Sequence, residues 1–134
     1  MEKWIHLGAL AHILGAFAHL GFWRLLGWRK QLQALTPINQ GVLQVLNLRI
    51  SYVFVFFAIL SYYFATDMLT SYLGQALLAG ISLFWWFRAV EQILFFPRYH
   101  IGSWAIFVVF CGIASLYLIP LLRLKEVGGL LLPI

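Results

Sequence analysis

Acidic side chains are scarce in this chain: Glu2, Asp67, Glu91 and Glu126 are the only four in 134 residues. Charged residues of both signs together make up 10% of the sequence, against about 25% in an average soluble domain. So few charges cannot cover a water-facing surface, and a soluble core is excluded as the frame. Cysteine is nearly absent as well. Cys111 stands alone, which rules out an intrachain disulfide and argues against a thiolate metal site. Inside an apolar run it reads as a small buried hydrophobe. There is no HExxH, no phosphate-cradling glycine loop and no GxSxG. No internal repeat of the transporter kind is visible.

What remains is apolar and aromatic. The chain is 63% hydrophobic, with 12 Phe, six Trp and six Tyr, and aromatic rings gather at membrane interfaces. The formal net charge of +5 does not point to nucleic acid. The cations sit at the ends of apolar runs, where they set membrane topology, and they form no continuous basic stripe.

Four stretches are long and apolar enough to cross a hydrocarbon layer, which takes about 20 residues. They cover about residues 4–26, 41–65, 72–96 and 101–122. The pattern predicts an all-α polytopic membrane protein: a single domain over residues 1–134, built as an antiparallel bundle of four transmembrane helices with short loops. The first run is too long for a signal peptide, is interrupted by His6, His12 and His19, and lacks a clean cleavage site, so it reads as a retained helix. Gly8, His12, Gly15 and His19 share one stripe of it, and Ala11 with Gly15 allows another helix close approach. Thr36-Pro37 reads as a helix start, a capping side chain followed by proline at the first helical position. Residues 66–71 read as a short turn whose Thr70 or Ser71 caps the third span, with Gly74 and Gly80 as contact points. Pro120 falls near the end of the fourth span, and the closing VGGLLLPI reads as an interfacial or loosely ordered tail.

Counting cations gives an orientation. Arg24, Arg29, Lys30, Arg49, Arg88 and Arg98 fall on one side, and Lys3, Arg123 and Lys125 on the other. The richer side belongs in the cytoplasm, which places both termini outside it. Short loops and no targeting segment point to a bacterial inner membrane.

The third span carries the feature that bears most on function. Its apolar run reaches Phe87, then Arg88, Glu91 and Gln92 arrive together before Phe96-Pro97. Ionisable groups at such depth cost roughly 2.5–3.5 kcal/mol each on insertion scales, so they normally face protein or a water-filled cavity. His19, Asn47 and Arg49 reach a similar depth from the first two spans. Arg88, Gln92 and Trp85 share a face, and Glu91 is within reach of Arg88, Arg49 or His19. The expected arrangement is an apolar outer half and a polar inner half. Its plain reading is a network that fixes helix register, with Arg49 and Arg88 snorkelling outward. Its functional reading is a cytoplasmic-side pocket for an amphipathic or anionic, lipid-like ligand, or for a partner subunit, lined by His19, Asn47, Arg49, Trp85, Arg88, Glu91 and Gln92.

Two other classes stay open on the sequence. A membrane enzyme or redox subunit would pair His19 with Glu91 for proton transfer, or use His12 and His19 as a proton relay or as ligands to haem b. One helix cannot supply both axial ligands to one haem, so that version calls for a homodimer. The third class is a structural subunit of a larger membrane complex, with the aromatic second span facing lipid or a partner. No metal site and no catalytic motif is indicated.

Overall fold

Two side-chain caps fix where long helices begin. In a computed structural model of the chain, which describes residues 1–97 and 99–126, Thr36 Oγ1 accepts from the Asn39 amide at 3.4 Å with Pro37 in the first turn. Ser71 Oγ accepts from the Gly74 amide at 3.0 Å. These caps satisfy amides that a helix start leaves without partners. They open α4 (Pro37–Tyr63) and α6 (Tyr72–Phe95). The other long helices are α1 (Glu2–Leu20) and α7 (Ile101–Glu126). Between them lie the short α2 (Phe22–Leu25), α3 (Trp28–Gln31), a 3-10 turn (Leu32–Ala34) and α5 (Ala65–Thr70). The described residues are all-helical, without strands.

Three helices, α4, α6 and α7, are long and apolar enough to cross a membrane, which makes this an integral membrane protein by length and composition. The fourth expected span differs. The first helix ends at Leu20 instead of running to residue 26, and the chain breaks at Gly21. Gly27 then adopts φ +61°, a left-handed conformation that only glycine reaches cheaply, and this turns the chain from α2 into α3. Residues 66–71, expected as a turn, lie largely in α5 instead. Burial of Met68 and Leu69 explains the extra helical turn. Helix α7 runs past the expected end at residue 122, through the buried Pro120, to Glu126. The closing VGGLLLPI and Arg98 lie outside the described residues.

Contacts between α1 and α4 run in opposite chain directions. Glu2 accepts from Thr66 just beyond α4, the His6 ring lies 5.8 Å from Tyr62, and His19 meets Asn47. The same holds for α6 and α7, where Ser82 donates to the Ala114 carbonyl and Gln92 to Ser103. Helix α7 also packs on α1: a side chain at Gly8 would collide with the Tyr117 ring. Gly15 faces Phe54, whereas Gly80 has open space around it and is not a contact point. One end of the molecule therefore carries Met1, α5 and Glu126, and the other carries the connection at residues 21–36 together with residues 96–97 and 99–100. The first end is not purely apolar, contrary to expectation. His12, Ser61, Gln75 and Tyr117 are all buried at mid-height or toward it.

Candidate functional site

Two polar clusters result, and they differ in how completely they are satisfied. The deeper one centres on His12, which is 0% exposed. The Trp85 indole N–H donates to His12 Nε2 at 2.9 Å. Indole can only donate, so Nε2 accepts and the proton of the neutral ring sits on Nδ1. That N–H donates to the Gly8 carbonyl at 2.8 Å. Tyr117 Oη lies 3.1 Å from the same nitrogen and accepts a second branch. Its own proton then goes to Ser61 Oγ at 2.7 Å. The rings of Phe54, Phe57, Trp85 and Tyr117 surround the imidazole at 5.3 to 5.8 Å. Every polar atom of that ring is used. As placed, both ring nitrogens of His12 have protein partners.

The second cluster lies toward the connection end. Arg88 is half-buried on α6, one turn from Gln92. Its Nη2 donates to Gln92 Oε1 at 3.2 Å, and Gln92 Nε2 donates onward to Ser103 Oγ at 3.0 Å in α7. The guanidinium carbon stands 4.6 Å from the Phe110 centroid and 5.1 Å from that of Phe96. Such cation–π contacts stabilise by about 0.5–2 kcal/mol depending on desolvation. Nη1 is buried with no hydrogen-bond partner among the described residues.

His19 and Asn47 form a separate reciprocal clamp. Asn47 Nδ2 donates to the His19 carbonyl at 2.9 Å, which orients the amide so that Oδ1 accepts from His19 Nδ1–H, also at 2.9 Å. The Phe54 ring fills the space between, 5.3 Å from His19 and stacked at 5.2 Å on Trp85. His19 lies within electrostatic reach of Arg88.

The structure thus divides the residues expected to share one site. Arg88 joins Gln92, His19 joins Asn47, and Trp85 belongs to the His12 core. Arg49 and Glu91 are exposed and stand outside both clusters. Glu91 acts on Arg88 through charge at a distance, without an ion pair among the described residues. Helix geometry explains this: Glu91 sits three residues after Arg88 but on the outer flank of α6, while Gln92 faces α7. A His19–Glu91 proton-transfer pair lacks the required contact. Ser61, Ser103 and Tyr117 were missed in the sequence. Each lies at a position marked only by one polar atom in an apolar run.

The crevice between Gln92, Ile93, Ser103, Trp104 and Phe107 measures about 10 Å³, room for about one water. An enclosed pocket of ligand size, as expected there, is not what Gln92 and Ser103 line. A wider, mostly apolar groove of about 370 Å³ lies between α1 and α4, lined by residues such as His6, Ala9, Ile13, Ala58 and Tyr62. Compared with models of known families, with characterised proteins and with solved structures, the chain matches none.

Proposed function

We propose that this chain is an antiparallel four-helix protein of a bacterial inner membrane, with both termini outside the cytoplasm, that binds an anionic, lipid-like ligand at Arg88. The carrying observation is a permanent cation with no ion-pair partner among the described residues, on which Glu91 acts only through charge at a distance. Arg88 has one hydrogen bond to a neutral amide and two aromatic faces, and no described carboxylate pairs with it. It lies seven residues before the end of α6, about 10 Å along the axis. A guanidinium there reaches the headgroup layer by snorkelling, and phosphate is its best bidentate acceptor. Because the adjoining crevice holds only a water, the ligand lies across the Arg88–Gln92 edge and not within a closed cavity. The spacing of α1 beside α4 and α7 supports its role as the fourth span. Its three histidines lower its apolar character, but His12 and His19 are turned inward to partners.

Arginine side-chain NMR of the full chain in neutral detergent tests this reading. Short-chain phosphatidylglycerol is the probe, and the Arg88 Nε–H signal is assigned by its loss in Arg88→Gln. A saturable shift of that signal, weakened in Gln92→Met, supports the site. An Arg88 signal unmoved by phosphatidylglycerol removes it.

A further inference from the structure

The segment between α1 and α4 is unused by the reading above, and it is built unlike an ordinary loop. Its first end is fastened to α1, and a residue near its second end is buried. The Phe22 ring lies 4.5 Å from His19, which the Asn47 clamp holds in turn. Leu32, in the 3-10 turn, is buried. Between these anchors the chain turns its apolar side chains outward. Trp23 is 43% exposed, Leu25 71% and Leu26 47%. Trp28 packs edge-on against Trp23 at 6.4 Å and tilted against Phe22 at 5.8 Å, so the aromatic rings form one patch. Arg24, Arg29 and Lys30 stand exposed among them. No acidic residue occurs between Glu2 and Asp67, so neither the segment nor the helix that follows it supplies a countercharge to these three cations.

We infer that the segment of α2 and α3 is an in-plane hook that binds the anionic surface of the adjoining leaflet. Trp23, Leu25 and Leu26 enter the acyl boundary, while Arg24, Arg29 and Lys30 meet lipid phosphates. Exposed apolar and cationic groups interleaved at a membrane boundary match the chemistry of an interfacial element, and aromatic rings favour the same depth. Charge complementarity selects the occupant. A purely zwitterionic surface offers the apolar gain but no net countercharge, whereas each Lys or Arg near an anionic leaflet adds a factor of about five in affinity. The left-handed Gly27 makes the geometry possible, since it reverses the chain within the plane and brings Trp28 back onto Trp23. The hook stands independently of Arg88.

Native mass spectrometry of the full chain, equilibrated with mixed micelles of phosphatidylglycerol and phosphatidylcholine, reads the preference directly. The wild-type chain retains phosphatidylglycerol over phosphatidylcholine, and a rise from 50 to 500 mM salt reduces that preference. The triple variant Arg24→Gln, Arg29→Gln, Lys30→Gln lowers the phosphatidylglycerol affinity on the order of a hundredfold, whereas Arg88→Gln leaves the hook's share in place. Should the triple variant fail to fold, the salt series run on Arg88→Gln, in which the other proposed anion site is gone, decides on its own. An equal retention of both lipids, a salt-insensitive preference, or a preference abolished by Arg88→Gln alone overturns the inference. So does a dimer mass that Leu25→Gln with Leu26→Gln removes, since the patch would then be the seat of a second copy.

Discussion

The His12 core and the Arg88 end are built from similar parts, an ionisable side chain among aromatic rings, yet they differ in completeness. Around His12 both ring nitrogens and the Trp85 indole N–H have partners, and the Tyr117 hydroxyl is bonded in turn to Ser61. Around Arg88 the protein supplies one amide oxygen and two ring faces, with no ion pair among the described residues. A satisfied polar network inside a membrane protein holds helices in register. An unpaired cation near the boundary asks for something from outside the chain. The difference separates a network that the chain satisfies by itself from the end at which we propose a ligand binds.

That distinction can be broken from either side. The largest effect is expected at Gly8, where a Leu side chain would displace the Tyr117 ring. Overpacking of this kind costs about 1–3 kcal/mol or more, read as a lower unfolding midpoint in a detergent titration. Next comes His12→Leu, which strands the buried Trp85 N–H and costs about 1–3 kcal/mol. Adding Trp85→Phe to His12→Leu removes the stranded donor, so the pair should be less damaging than the sum of the singles. Strict additivity in that cycle would mean the bond is not coupled, and the core reading would weaken.

Smaller effects sharpen the other half. Asn47→Ala opens the clamp on His19 and should cost about 0.6 kcal/mol, the typical interhelical polar contact in a membrane. Arg88→Leu should leave the unfolding midpoint unchanged or raise it, because an unpaired cation is removed from an apolar setting. A clear loss of stability in Arg88→Leu would move this residue into the structural class with His12.

Much of the helix pattern was legible in the sequence, because caps and apolar runs are local signals. Thr36-Pro37 and Ser71 start their helices as their chemistry requires. The break after Leu20 was harder to see. Gly21 and Gly27 lie in a run as apolar as the helix before it, and only the left-handed turn at Gly27 tells hook from span. The face common to Arg88 and Gln92 was readable. The split of the site was not. Membrane helices are apolar all round, so periodicity does not show which ring faces a neighbour. Trp85 was drawn toward Arg88 by helical spacing, whereas its indole N–H turns to His12 on another helix. Tyr117 and Ser61 meet across 56 residues of chain, a register no single sequence discloses.

The most direct test is a crystal structure of the full chain grown from a lipidic mesophase containing phosphatidylglycerol, examined at the guanidinium of Arg88. The account predicts a phosphate or other anionic oxygen within hydrogen-bond distance of that group, beside the Gln92 amide. A guanidinium turned to bulk solvent, or paired with a carboxylate of this same chain, would contradict it.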